Sequence, residues 1–242
     1  MVSAGQRIRG TTVVVVTGGD TPDPGVCSLI PADAFVVAAD SGADLALALG
    51  LRVHEAVGDF DSVSPAGLAA LHEAGTVLDV RQPDKDATDM ELAMTAALRH
   101  TPDCIMVLGG LGGRVDHELA NLTLLSGENL ADVDVVVRSG RATVSLVRPP
   151  RRTELCSDAG DLVSLLTIRD PAKGVTTGGL RWPLSNAELR FGSTLGISNE
   201  LVDRRAWVSC TSGVLLAMQP GVAAASVRDR SEPSVFDQRG VR

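Results

Sequence analysis

Tyrosine is absent from the chain of 242 residues, and phenylalanine and tryptophan contribute only four and two. Its core must therefore come from aliphatic side chains, and a site that stacks a flat ring has few aromatic faces to draw on. Cysteine is also scarce: Cys27, Cys104, Cys156 and Cys210 show no Cys-x-x-Cys spacing, and three of them sit among apolar or small neighbours. That distribution argues against a disulfide framework and against a zinc site. No run of about 18 uncharged apolar residues occurs, and the opening MVSAGQRIRG lacks the apolar core of a signal peptide. The expectation is a soluble cytoplasmic protein with no membrane partner. A stripe of Lys and Arg is missing as well, and with a net charge of -8 the chain is not expected to bind a nucleic-acid backbone. An anionic ligand would need metal ions or a few local cations.

What the chain does have is apolar residues, at 44%, enough to bury one large core or two modest ones. From residue 11 to about 125, short β-branched runs alternate with Ala/Leu-rich stretches, the pattern of a parallel sheet with crossover helices. Strands are expected at Thr12 to Val16, Ala34 to Ala39, Glu55 to Val57, Val77 to Val80 and Ile105 to Leu108. Helices are expected from Ser41 to Leu49, from the Ser64-Pro65 start to His72, and from Glu118 to Leu125. Another begins at Thr88-Asp89-Met90-Glu91, which fits a capping box. After about residue 130 the pattern changes to short alternating strands such as Val133 to Val137, Thr143 to Val147, Leu162 to Ile168 and Trp207 to Met218, separated by Gly, Pro, Asn and Asp. The fold class is thus α/β, a parallel sheet with crossover helices followed by a smaller antiparallel β-domain. The expected divisions are 11–130, 131–220 and a flexible tail over 221–242.

The acidic residues fall in telling places. Asp40 follows the second expected strand, Asp59 and Asp61 the third, and Asp84, Asp86 and Asp89 the fourth, while GGLGGRVDH follows the fifth. The carboxyl ends of parallel strands share one edge of a sheet, where ligands bind, so these acids should converge. Carboxylates that close repel each other by about 1 to 4 kcal/mol per pair at 4 Å. A cation offsets that, and Mg2+ suits carboxylate oxygens and substrate phosphates together. In extended chain, an Asp-x-Asp pair projects both carboxylates to one side. Asp44 and Asp84 read as ordinary turn or capping residues. The segment Gly109 to His117 is a glycine turn opening a helix, able to cradle a phosphate or place Arg114 against one. It is neither a P-loop nor a dinucleotide fingerprint.

Four stretches in this order, AADSGADLALALGL, VGDFDS, PDKDATDMELAM and GGLGGRVDHELANL, with GISNEL later, resemble the thiamine pyrophosphokinases (thiamine diphosphokinases). The resemblance covers most of residues 34 to 219. It implies an ATP-binding α/β domain, a thiamine-binding β-sandwich, and a homodimer with thiamine held where the two kinds of domain meet across subunits. It implies transfer of the terminal diphosphate of ATP to the hydroxyl of thiamine, with release of AMP. By motif position, Asp40, Asp59, Asp61 and Asp89 are the Mg2+ carboxylates, with Asp59, Asp61 and Asp89 catalytic. Lys85, Thr88, Arg114 and Asp116 are expected to contact the nucleotide, and Ser198, Asn199 and Glu200 to line the thiamine pocket. Ser41 stands where the family often has glycine and is expected to add a helix-capping hydroxyl. Where some relatives stack the thiamine ring on an aromatic, this chain has Val214-Leu215-Leu216, so a leucine or Trp182 is the expected substitute. The alternatives are another magnesium-dependent phosphotransferase or phosphatase, and a non-catalytic thiamine or nucleotide sensor. An aspartyl-phosphate phosphatase is disfavoured because its Asp-x-Asp belongs after the first strand, which here ends in Thr17-Gly18-Gly19-Asp20.

Overall fold

The computed structural model describes residues 10–82 and 87–223. Its central strand, β1 (Thr12–Val16), is an unbroken β-branched run buried along its whole length. A strand of that kind is stable only when both faces of its sheet are covered. It lies between β2 (Phe35–Ala39) and β5 (Cys104–Leu108), with β3 (Glu55–Gly58) and β4 (Val77–Val80) beyond β2, and β6 (Asp134–Ser139) beyond β5. All five pairings among these strands are parallel. Val14 and Val16 pack on the face covered by α1 (Gly42–Ala48) and α2 (Pro65–Glu73). Val13 and Val15 pack on the other face, against α3 (Asp89–Leu98) and, at its margin, α4 (Val115–Leu124). The chain winds outward from β1 through β2 and β3 to β4, then returns to β5 on the opposite side. A crevice therefore opens between the ends of β1 and β5, where the connections diverge.

The hairpin at Gly140-Arg141 turns the sheet antiparallel. Here β7 (Ala142–Val147) pairs with β6, and β14 (Leu215–Gln219), β9 (Leu162–Thr167) and β12 (Asn199–Glu200) continue outward, giving ten strands in one sheet. Four further strands, β8 (Arg152–Cys156), β10 (Ala172–Gly178), β11 (Ala187–Leu189) and β13 (Arg205–Ser209), form a second sheet in the order β11-β10-β13-β8. The two sheets enclose an aliphatic core that includes Val147, Leu155, Val163, Leu165, Val208 and Leu215. The architecture is thus the expected α/β unit with a smaller antiparallel sandwich. Both share one continuous sheet, because β6 pairs parallel with β5 and antiparallel with β7.

Two expected elements differ. The run from Trp207 to Met218 is two strands in different sheets, β13 and β14, joined at Gly213 with φ +85°. The added Cβ of any other residue there would come within 2.7 Å of the Ala172 Cα, so the chain crosses between sheets at the one residue that fits. Helix α4 starts at Val115, three residues ahead of Glu118, because the glycine loop ends at Gly113 and Arg114 takes the N-cap position.

Gly42, at the start of α1, meets the first strand so closely that a Cβ would lie 2.2 Å from the Val16 carbonyl oxygen. Gly42→Ala is expected to cost about 1–3 kcal/mol as overpacking, read as a lower urea midpoint. An unchanged midpoint would show that α1 shifts freely on β1.

Candidate functional site

The chain bends sharply at the ends of β2 and β3, and the bends carry the acids. Asp40 has φ +46° and Phe60 φ +60°, conformations rare for residues with side chains, and Gly58 has φ +152°. Gly58 matters because a Cβ there would sit 3.2 Å from the Asp40 Cβ, so glycine lets the two strand ends approach. The ring of Phe60 packs inward against the core beneath α1 and α2. Its neighbours on either side, Asp59 and Asp61, are turned the other way, toward Asp40. One carboxylate oxygen from each of Asp40, Asp59 and Asp61 falls within 4.8 Å of the other two.

Asp40 is the electrostatic focus. Its Oδ2 accepts from the Ser62 hydroxyl at 2.6 Å, while Oδ1 is buried without a hydrogen-bond partner. Burial pushes its carboxyl above the usual range, the Ser62 bond pulls it back, and the negative charges of Asp89, Asp59 and Asp61 push it up again. The Asp61 backbone N–H donates to Asp59 Oδ1 at 3.3 Å, holding the turn. A carboxylate with one partnerless buried oxygen, set beside two more carboxylates, fits a hard divalent cation.

Beside Asp40 opens a hollow of about 300 Å³, bordered by Asp40, Ser41, Thr88, Asp89 and, across the crevice, the loops after β1 and β5. Asp89 is the first residue of α3, and Thr88 is its N-cap, with Oγ1 accepting from the Glu91 N–H at 3.2 Å. The reciprocal bond from the Glu91 side chain is absent among the described residues. On the far wall, Gly19 packs on the Leu111 carbonyl and Gly109 on the Thr17 carbonyl, closer than any side chain allows. Glu118 Oε1 accepts from the Gly112 N–H at 2.8 Å and Asn121 Nδ2 donates to the Gly110 carbonyl at 2.8 Å, so one face of α4 fastens the glycine loop. Arg114 reaches the hollow and is gripped by Asp116 through two hydrogen bonds, Nε to Oδ1 at 3.1 Å and Nη2 to Oδ2 at 2.6 Å. Those bonds draw the Asp116 carboxyl down to about 2.

The expected residues therefore fall into three groups. Asp40, Asp59, Asp61, Asp89, Thr88 and Arg114 gather along one rim, with Asp116 behind Arg114. Lys85 lies outside the described residues, as do Asp84 and Asp86. Ser198, Asn199 and Glu200 stand at β12, the outermost strand at the opposite end of the ten-stranded sheet. Seven strand spacings separate β12 from β2 in that order, roughly 30 Å of sheet. The Asn199 side chain is committed to its own subunit: Oδ1 accepts from the N–H groups of Trp182 and Glu200, and Nδ2 donates to the Trp182 carbonyl at 2.7 Å. Glu200 is buried and paired with Arg181 at 2.8 Å.

Three details depart from expectation. The Ser41 hydroxyl makes no capping bond, since Ser41 has helical dihedrals, and it lies over Gly18 instead, 2.8 Å from where a Cβ would be. Leu215 and Leu216 are wholly inside the core and have no surface for a ligand ring, while Trp182 is half exposed. Asp44 does act structurally: its carboxylate accepts from the Ser64 N–H and hydroxyl at 2.8 and 2.6 Å, bracing the N-cap of α2. Sequence reasoning passed over Gly18, Gly19, Ser41, Glu118 and Asn121 as parts of the hollow. The glycine pair after β1 and the Glu118/Asn121 spacing on α4 were the available signals.

The family model described as "Thiamin pyrophosphokinase, catalytic domain" matches residues 26–137, and "Thiamin pyrophosphokinase, vitamin B1 binding domain" matches 149–215. A thiamine pyrophosphokinase of Bacillus subtilis is 30% identical over 86% of this chain and 98% of its own length. The chain belongs to the thiamin pyrophosphokinase family. The crystal structure of thiamine pyrophosphokinase from Bacillus subtilis superposes with a TM-score of 0.75 at 27% identity, covering 86% of this chain and 98% of that one. That of the thiamin pyrophosphokinase from Geobacillus thermodenitrificans gives 0.72 at 29%, over 86% and 97%. The catalytic-domain match spans the acids, the glycine loop after β5 and the hollow except for Thr17, Gly18 and Gly19, and the vitamin B1 match spans β8 to the start of β14. Among the described residues of this family member, no helix is long and apolar enough to cross a membrane.

The contrast between Asp44 and Asp40 is testable. Asp44→Ala should lower stability by about 1–2 kcal/mol in urea, through the weakened N-cap of α2. Asp40→Asn should lose none in metal-free buffer, because it removes a buried negative charge and Asn tolerates φ +46°. Equal losses for the two variants would contradict this assignment.

Proposed function

We propose that the chain is an ATP:thiamine diphosphotransferase, forming thiamine diphosphate and AMP in the cytoplasm as a homodimer, with Mg2+ as its metal. The observation that carries the reading is the meeting of Asp40, Asp59 and Asp61 within 4.8 Å at the mouth of a hollow, with one Asp40 oxygen buried and unpartnered. Asp40, Asp59, Asp61 and Asp89 would hold the metal. Bound there, Mg2+ would neutralise phosphate charge and fix the triphosphate for in-line displacement. The glycine loop would offer backbone N–H groups to the nucleotide, and Arg114, oriented by Asp116, would add positive charge beside the phosphates. Thr88 keeps its hydroxyl proton for donation, since its cap bond uses only the oxygen as acceptor. Lys85 is assigned to the nucleotide by motif position.

The thiamine hydroxyl oxygen attacks the β-phosphorus of ATP, and the bond from that phosphorus to the bridging oxygen of the α-phosphate breaks. The bridging oxygen leaves with AMP, and the hydroxyl proton passes to Asp59 or Asp61. Positioning and charge neutralisation supply the acceleration, with no covalent enzyme intermediate.

Thiamine recognition by Ser198, Asn199 and Glu200 requires a second copy of the chain, because those residues and the acids occupy opposite ends of one sheet. The surface around them suits such a partner: Phe191, Leu195, Ile197 and Val202 are exposed apolar side chains close to β12 in sequence, and half-exposed Trp182 is hydrogen-bonded to Asn199. Patches of this kind mark interfaces. With Asn199 bound into its own loop, its part would be to hold Trp182 and the Ser198 turn in place for the partner's substrate.

The chemistry is tested by following AMP: it should form only when thiamine, ATP and Mg2+ are all present. Asp59→Asn and Asp61→Asn should each lower kcat about 100-fold or more. Phosphate release without thiamine, or near-normal turnover in both variants, would defeat the reading. Sharing across subunits is tested by mixing two inactive proteins, Asp61→Asn and Asn199→Ala, and letting them exchange. A shared site restores about a quarter of wild-type sites, since half of the dimers are mixed and each contains one intact site. No recovery would place the whole site in a single chain.

A further inference from the structure

On the other side of the β6–β7 hairpin lies a second hollow, of about 280 Å³, enclosed between that hairpin, the residues after β1, and strands β8 and β14. Its distinctive residue is Arg138, on β6. Of the Arg138 guanidinium nitrogens, Nη1 donates to Thr143 Oγ1 at 2.7 Å, while Nε is buried without a partner. Among the described residues no carboxylate pairs with it; Arg148, whose Nε is likewise buried without a partner, differs in donating from Nη2 to the Gly127 carbonyl at 2.7 Å. Burial lowers the guanidinium from its ordinary value, opposed by the nearby Cys156. A guanidinium withdrawn from water without a counter-ion is costly.

The acids around this hollow are already engaged. Asp161 accepts from the Ser157 hydroxyl and the Asp158 N–H, Asp158 faces Arg204 at 3.6 Å, and Asp23 accepts from the Gly25 N–H at 2.8 Å. Asp161 and Asp23 are thus held by neutral donors and Asp158 by Arg204, none of them ion-paired with Arg138, which has the exposed Arg141 beside it and the Thr143 hydroxyl as a fixed neighbour. We infer that this hollow is a binding site for a small oxyanion, a carboxylate or a phosphate, seated on the Arg138 guanidinium. With Nε buried and Nη1 bonded to Thr143, the guanidinium meets either group through its Nη nitrogens, and the volume limits the ligand to a small molecule. The site is separate from the acidic rim and back to back with it: Gly140 N–H and the Ser139 hydroxyl both donate to the Asp20 carbonyl, on the loop whose other side borders the first hollow.

The probes are inorganic phosphate and acetate, titrated into the full chain against chloride at matched ionic strength, with the melting temperature and calorimetric Kd as readouts. One of the two anions should raise the melting temperature saturably. Arg138→Met should weaken its binding about tenfold or more, whereas Arg114→Ala, in the other hollow, should not. A response to phosphate alone identifies a tetrahedral oxyanion, and a response to acetate identifies a carboxylate. Arg138→Met exchanges an unpaired buried charge for an apolar chain of similar length, so it should fold at least as well as the parent. Should it fail to fold, Ala142→Leu adds bulk to the lining while keeping the arginine, and must weaken binding in the same way. Anion binding that survives both changes, is lost in Arg114→Ala, or is absent from the parent protein overturns the inference.

Discussion

Everything at the acidic rim follows from placing the Asp40 carboxylate where water cannot reach one of its oxygens and three other acids can reach its charge. Left alone, such a group favours its neutral form, as burial and the charges of Asp89, Asp59 and Asp61 all raise it. The single Ser62 hydrogen bond opposes them and is too little to balance the sum. The fold accepts this because β1, β2, β3 and β5 hold the strand ends in register through a core of buried valines, independent of the rim. A close-packed scaffold can carry an unfavourable local charge arrangement, and a bound cation turns that arrangement into affinity.

Backbone geometry makes the crowding possible. Positive φ at Asp40 and Phe60 and the missing side chain at Gly58 draw two strand ends closer than an ordinary sheet edge allows. The same device recurs across the crevice, where Gly19 and Gly109 bring the loops after β1 and β5 into backbone contact. One wall of the hollow is therefore made of carboxylates and the other of peptide groups. A polyphosphate bridged by metal suits that pairing, since the carboxylates meet the metal and the peptide N–H groups meet the phosphate oxygens.

Much of this was legible because it depends on local pattern. The strands β1 to β5 declare themselves by β-branched runs, and Gly-Asp-Phe-Asp-Ser announces a turn whose two acids share a side because Phe60 points to the core. The limits of local pattern are equally physical. The sequence from Trp207 to Met218 alternates well enough for one strand, and only the close approach of Gly213 to Ala172 reveals the crossing between sheets. Ser41 looks like a cap by residue type, yet its helical dihedrals turn the hydroxyl toward Gly18. Asn199 and Glu200 stand in a recognisable motif, but their hydrogen bonds to the Trp182 loop and Arg181 come from segments with no periodic signal.

Arginine use across the chain separates structural from unexplained charge. In the sandwich Arg181 pairs with buried Glu200, and in the α/β unit Arg99 pairs with buried Glu55, so each of these buried acids has its cation. Arg148 turns its Nη2 to the carbonyls that end α4, though its Nε is buried without a partner. Arg138 alone among these is half-buried beside open space with one hydroxyl for company. An arginine needed only for packing could be replaced by an apolar residue at no cost in solvation, and one needed for stability would have acquired a carboxylate, for which Asp161 stands along the same hollow. Asp161 is instead turned to Ser157 and the Asp158 N–H, which leaves the guanidinium on the hollow without an ion pair. The same rule that reads a cation into the Asp40 cluster, charge gathered and left uncompensated by the chain, reads an anion here.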